Sequence, residues 1–203
     1  MKTIRVLGAI MAFLVISSLS GAAPKVEVIT ADPGELPDSN DYGPCSLACA
    51  LRWQTKASSH LNPQGQNKYD VSHIDDMLVN TAWIEGVPGY GIGETITYTF
   101  TKEHFKKANL KKINFNGFYV INGYCKDKTT WKENSRVKKI RIKHNDKPLY
   151  EAVLHDSMNV QWIHLSTVWL HPGDTIKVTI LAEYPGNKYQ DTAISELMPL
   201  GAH

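Results

Sequence analysis

The sequence predicts an all-β protein, a sandwich or barrel of short strands, and three observations carry that expectation. Apolar and polar residues alternate at period two in ETITYTF (94–100) and in DTIKVTILAEY (174–184), the pattern of strands with one buried face. Turn residues cut the chain at short intervals, as in HND (144–146) and HPGD (171–174). Helical signal is confined to one short stretch, EHFKKANL (103–110), so regular helices contribute little.

Taken in order, the 203 residues begin with Lys2 and Arg5, then an apolar run from about Val6 to Leu19, then Ser20, Gly21 and Ala22. A basic start, a short apolar stretch and small residues at the end describe a secretory signal peptide over 1–22. The run is shorter than the ~20 apolar residues that span a bilayer. The mature chain, about 180 residues, suffices for one domain with its own core. It is expected in a secreted or periplasmic setting, with no membrane span. Residues 23–44, rich in Pro, Gly, Asp and Asn, read as a flexible linker. The domain then occupies 45–200. Within it, KKINFNGFYVING holds a long apolar segment, RVKKIRIKHNDKPLYEAVL reads as two strands around Asn145 and Asp146, and QWIHL reads as a short strand. The lysines of VKKIRIK read as a solvated strand face that blunts a sheet edge.

Charge and cysteine usage narrow the function. A net charge of +2 and a pI near 8.3 argue against a nucleic-acid-binding face. Three cysteines, Cys45, Cys49 and Cys125, are too few for a disulfide-built miniprotein. Nearness in sequence favours Cys45–Cys49 as a disulfide, with Cys125 reduced and buried, and pairing of either with Cys125 remains open. No His-x₃₋₅-His spacing supports zinc.

The stretch NTAWIEGVPGYGIGE (80–94) holds four glycines. A dinucleotide loop follows a strand and opens a helix that receives the pyrophosphate. Here GYGIG follows Val87 and Pro88 and opens a strand, so the glycines are expected to turn the backbone into the sheet.

The motifs ASSHLNPQGQNKYDVSHIDDMLVNTAWIEGVPGYGIGE, NGFYVINGYCK, NSRVKKIRI and YPGNKYQDTAISEL together resemble the NADase-type glycan-binding domain, a discoidin (coagulation-factor type C-like) module. The resemblance covers Cys45 to Leu200. It implies a discoidin-like β-sandwich jelly roll related to galactose-binding and carbohydrate-binding modules, with short or no helices. It does not imply NAD hydrolysis, which belongs to a separate catalytic domain.

No His-Glu-x-x-His helix and no Gly-x-Ser-x-Gly elbow occurs, and the eight histidines are scattered. The adjacent acids Asp75 and Asp76 could in principle serve glycoside hydrolysis, but adjacent acids in a loop are more often solvated or metal-bound, so a non-catalytic module is expected. Sugar binding asks for an aromatic to stack on a pyranose and for polar side chains to meet its hydroxyls. Candidates on expected loops are Tyr90, Tyr124, Trp131, Asn134, Arg136, Tyr189 and Asp191. Trp83, Trp162 and Tyr98 are assigned to the core, and Arg136 has a structural alternative, a salt bridge to Glu85 or Asp191.

The resemblance also implies a structural calcium ion. Carried over position by position, the side chains of Asp76, Thr81 and Glu196 and the carbonyls of His73, Leu78 and Ser195 would hold it. Met77 stands where glycine is usual, and Leu78 where a second aspartate often stands. The expected partner is a glycan or glycoconjugate. A protein-interaction or translocation-assisting role and a small exported polysaccharide-acting enzyme are the alternatives.

Overall fold

The computed structural model describes residues 25–37 and 47–201. The expected signal segment 1–22 and Cys45, with the expected Cys45–Cys49 pairing, lie outside the described residues. The strands are β1 (Glu27–Thr30), β2 (Asp32–Pro33), β3 (Gln54–Ala57), β4 (Trp83–Ile84), β5 (Thr95–Thr99), β6 (Ile113–Asn122), β7 (Ser135–His144), β8 (Lys147–Val153), β9 (Val160–Leu170), β10 (Thr175–Tyr184) and β11 (Thr192–Leu200). Two short helices, α1 (Lys102–Lys107) and α2 (Lys128–Glu133), complete the chain.

Strand order is β2-β9-β6-β11-β7-β10-β5-β3, with β4 on β11 and β8 joining β1 to β7. The junction is slight: β11 meets β7 in parallel only at Thr192↔Ser135 and Ala193↔Arg136. On either side of it the strands fold over one another as the two layers of a sandwich. The layers meet in one apolar core. Phe118 of β6 packs on Tyr98 of β5 with ring centroids 5.7 Å apart, and the Tyr98 hydroxyl donates to the Leu197 carbonyl of β11. Trp83, Phe100, Phe105 and Phe115 are fully enclosed with them. At about 25 cal/mol per Å² of apolar surface, enclosing rings of this size is a large favourable contribution.

Local chemistry accounts for the elements. Asn145 and Asp146 both adopt positive φ (48° and 64°), which makes the tight β7–β8 hairpin their side chains tolerate. Thr101 caps α1 by accepting from His104 N–H at 3.2 Å. Asp127 does the same for α2, accepting from Thr130 N–H at 2.7 Å.

Four expectations need correction. The stretch assigned to a linker supplies β1, parallel to β8 over Glu27↔Tyr150 to Thr30↔Val153, and β2, paired with β9. Helix α2 was not anticipated, because its apolar content is too low to show a period. The QWIHL strand extends to eleven residues. VKKIRIK belongs to an interior strand with neighbours on both sides, and its Lys139 and Arg141 clamp Glu151 of β8 at 2.5 and 2.6 Å.

Candidate functional site

The loop after β3, the β6–β7 connection and the loop after β10 meet at one pole of the sandwich. Loop 58–70 is pinned to β4 by Leu61 N–H donating to Ile84 O at 2.8 Å. Its tip turns at Gly65 (φ 63°), where Gln64 and Asn67 exchange backbone bonds at 3.0 and 3.1 Å. Helix α2 follows β6 at the same pole. The segment 185–191 docks on its last turn, with Tyr189 N–H donating to Glu133 O at 2.8 Å. Ser135 ties the two together: its hydroxyl donates to Tyr189 O and accepts from Gly186 N–H, while its own N–H donates to Asp191 O.

These loops enclose a cleft of about 160 Å³. Tyr124, Asn134, Tyr189 and Asp191, four of the seven ligand candidates, line it together with Gln64, Asn67, Lys126 and Glu133. Tyr69 supports Tyr124 edge-on, with centroids 6.1 Å apart at 87°. Tyr189 is 42% exposed at the rim. A neighbouring hollow shares Asn67, Tyr124 and Lys126 and runs on to His73, Asn80 and Thr81.

The other three candidates lie elsewhere. Trp131 and Arg136 form a layer under the surface: the guanidinium lies 4.5 Å over the indole, and the indole N–H donates to Asn122 O at 2.8 Å. Arg136 makes its salt bridge to Asp156 rather than to Glu85 or Asp191, through Nε to Oδ1 at 3.0 Å and a terminal nitrogen to Oδ2 at 2.9 Å. Its remaining donors reach the carbonyls of Asn134 and Pro185. Tyr90 sits in the glycine-rich stretch, where its carbonyl accepts from the Thr192 hydroxyl at 2.8 Å. Trp83 and Tyr98 are fully buried as expected, whereas Trp162 is half-buried and stacked on His164. Gln64, Asn67, Lys126 and Glu133 were missed. The amide-rich NPQGQNK around a turn glycine was the signal available for the first two.

The glycine-rich stretch proves to be the scaffold beneath this surface. Ser58 and Ser59 both donate to the Glu94 carboxylate, and Trp83 donates through its indole N–H to Ser59 O at 2.9 Å. Glu85 is buried and accepts from Val87 N–H at 2.8 Å and Thr192 N–H at 3.1 Å. Burial raises its carboxyl above the usual range, while those two N–H groups oppose the rise. Gly91 (φ 65°) lies against Glu85: a Cβ there would come within 2.4 Å of Glu85 Cγ.

Of the residues named for calcium, Asp76, Thr81 and Leu78 meet in one loop, with Glu196 near Asp76. Asp76 Oδ1 accepts from Leu78 N–H at 2.9 Å, the Thr81 hydroxyl lies 2.9–3.0 Å from both carboxylate oxygens, and His73 Nδ1 lies 2.9 Å from Oδ2. Met77 occupies the left-handed region (φ 65°) that the usual glycine would fill without strain. Glu196 is buried, and neither of its carboxyl oxygens has a hydrogen-bond partner. Desolvation, aggravated by the charges of Asp76 and Asp75, pushes its carboxyl up to about 9. A buried carboxyl beside a second carboxylate ionises only at a cost, which a cation relieves, and the all-oxygen donors suit calcium rather than a transition metal. Among the described residues no three His, Cys, Asp or Glu side chains gather as a metal cage, so carbonyls and water would complete the shell.

Comparison with known proteins places this geometry. Residues 49–199 match the NAD glycohydrolase translocation F5/8 type C domain. The chain belongs to that family. Sequence comparison with curated proteins finds no match. Among solved structures, the chain is similar to CpGH89CBM32-5 from Clostridium perfringens, solved with GalNAc-β-1,3-galactose, at 16% identity and TM-score 0.50 over 73% of this chain and 95% of that one. It is similar to the CBM32-1 and CBM32-2 domains of Clostridium perfringens ZmpB, solved with GalNAc, at 12% identity and TM-score 0.56 over 89% of this chain and 41% of that one. It also resembles part of the mycobacterial arabinofuranosyltransferase AftD, at 13% identity and TM-score 0.52 over 74% of this chain and 10% of that one. These likenesses establish a discoidin-like β-sandwich, the fold expected from the sequence. Among the described residues no helix is long and apolar enough to cross a membrane.

Proposed function

We propose that this family member is an exported, non-catalytic carbohydrate-binding module whose polar cleft holds a sugar residue of a larger glycan. The observation that carries the reading is convergence: Tyr124, Asn134, Tyr189 and Asp191 come from three separate loops and meet around one hollow. Tyr189 offers a partly exposed ring for stacking, and Asp191, Gln64 and Asn67, with the Asn134 side-chain carbonyl, line the same hollow as polar groups for sugar hydroxyls. At about 160 Å³ the cleft is well below the ~300–1,000 Å³ of pockets for drug-sized ligands. It therefore suits a single ring, approached from the end or edge of a chain.

Calcium belongs to this reading as a structural ion. Asp76, Thr81 and Glu196, with the carbonyls of His73, Leu78 and Ser195, would hold it, and it would neutralise two facing carboxylates. It would also fix the loop that borders the neighbouring hollow. The leader at 1–22 accounts for export. Asp75 serves structure in this reading, because it accepts from the Trp53 indole at 2.7 Å and from Thr55 at 3.1 Å.

The test is a glycan array on the calcium-loaded protein, followed by titration of any hit against Tyr189→Ala and Asp191→Asn. Specific binding that either variant weakens supports the lectin reading. Silence across the array, with capture of a defined protein partner instead, favours the translocation-assisting role that the family description suggests. Release of reducing ends from a polysaccharide would replace both with an enzyme.

A further inference from the structure

The pole opposite the cleft has a different charge character. Helix α1 and the turn after it (102–112), the β7–β8 hairpin (143–147) and the β9–β10 turn (171–177) meet there. Phe100 N–H donates to Asp174 O, and Asn145 N–H to Thr175 O, which fastens the three segments together. They carry eight lysines (102, 106, 107, 111, 112, 143, 147, 177) against three carboxylates (Glu103, Asp146, Asp174), eight minus three giving +5 in a chain whose total is +2. The rest of the sequence is therefore net negative, and this pole holds more positive charge than the whole chain does.

Each carboxylate at this pole is already engaged. Glu103 pairs with Lys107 at 2.8 Å, Asp146 with Lys177 at 2.9 Å, and Asp174 accepts from His144 and Asn145. Lys102, Lys106, Lys111, Lys112, Lys143 and Lys147 have no carboxylate partner among the described residues. Beside them stands Trp169, 47% exposed, with the Lys112 ammonium 3.9 Å over its ring.

We infer that this pole is a second binding surface, for an anionic polysaccharide. Clustered like charges repel one another, and a polyanion relieves that repulsion while releasing its own counterions. The apolar content decides among polyanionic partners. Among the described residues Trp169 is the one large apolar side chain exposed at this pole. A single indole is too little to hold a peripheral protein in a bilayer, where stable attachment takes more buried apolar surface, yet it is what stacking on one sugar ring requires. The whole-chain charge is far from that of a nucleic-acid-binding domain. The surface is remote from the cleft, so the inference does not rest on the cleft being a sugar site. Together the two poles would let one module bridge a neutral sugar and an acidic matrix.

The test measures binding of the full chain to dextran sulfate and to polygalacturonate, with neutral dextran as reference. Affinity should fall steadily with rising salt. Reversing Lys106→Glu, Lys111→Glu and Lys112→Glu together should weaken it roughly tenfold or more. The matched triple Lys56→Glu, Lys128→Glu and Lys132→Glu makes the same change in net charge elsewhere and should leave affinity within about twofold. Trp169→Ala should weaken polygalacturonate without changing the salt slope. Equal loss in both triples, or loss in neither, overturns the inference. So does tighter binding to phosphatidylserine vesicles or to oligo-dT than to either polysaccharide. Thermal melts confirm that each variant is folded, and the salt dependence of the unaltered chain tests the ionic claim without any variant.

Discussion

Arg136 and Asp156 face each other across the mouth of β7 as a bidentate pair, with both bonds near 3 Å. The guanidinium is 8% exposed and the carboxylate 39%, so truncating the arginine leaves Asp156 water on one side only. It also unties the carbonyls of Asn134 and Pro185. Arg136→Ala is therefore expected to cost about 3 kcal/mol, read as a lower melting temperature. An unchanged melt with abolished sugar binding would make Arg136 a ligand contact instead.

Glu196 makes the metal-free protein sensitive to pH in an unusual direction. Its folded carboxyl holds a proton up to about 9, whereas the unfolded chain releases it near the ordinary 4.5. Between those values the folded state binds more protons, so stability should fall as pH rises through that window. Melting curves in chelator should show this decline, and Glu196→Gln should flatten it. Calcium held by the ionised form would reverse the trend at neutral and alkaline pH, by about 2.7 kcal/mol at a hundredfold excess over Kd. A melt at pH 8 that ignores calcium and chelator alike would reject the ion.

Cys125 is buried and its thiol is pushed up to about 12, chiefly by desolvation. Its N–H donates to the Ser195 hydroxyl, which in turn donates to Val79 O, so the residue sits on a fixed frame. A thiol-specific reagent should leave Cys125 untouched in the native protein and modify it promptly in denaturant. Cys49 is exposed, and peptide mapping distinguishes the two. Native labelling of Cys125 would show that the β6–α2 connection opens.

Gly91→Ala tests the scaffold role of the glycine-rich stretch. The new methyl group would need the left-handed backbone (φ 65°) and would collide with Glu85. The backbone term alone costs roughly 1–2 kcal/mol, and displacing a buried carboxylate adds to it. Gly89→Ala shares the backbone strain but meets no atom within 4 Å, and so should cost less. Equal melting temperatures for the two would remove Glu85 from the argument.

The strands with one buried face were legible because period-two burial writes itself into the residues: Ile96 and Tyr98 are enclosed while Thr95, Thr97 and Thr99 are half-exposed. Turn chemistry at Asn145 and Asp146 was equally readable. The β1 and β2 strands were not, because Glu27, Val28, Asp32 and Pro33 are exposed and owe their strand state to backbone pairing, which leaves no side-chain period. The site divided along similar lines. Tyr124, Asn134, Tyr189 and Asp191 were identified as aromatic or polar residues on expected loops. Trp131 and Arg136 belong to the same chemical types, and nothing in residue type distinguishes a side chain facing the cleft from one lying beneath it. The partner of Arg136 was unreadable for a related reason: Asp156 is twenty residues away, and only the fold brings it near.

The pairing of β1 with β8 and of β2 with β9 bears on where this protein can be cut. The family match opens at residue 49, but residues 25–37 are stitched to both layers, with Ala31 buried between the two short strands. A chain trimmed to its family boundary would bare the backbone N–H and C=O groups along β8 and at the start of β9. Unsatisfied strand edges of that kind recruit strands from other copies. The trimmed protein should retain its cleft and yet pair edge to edge, which would make the leading segment an internal guard against self-association.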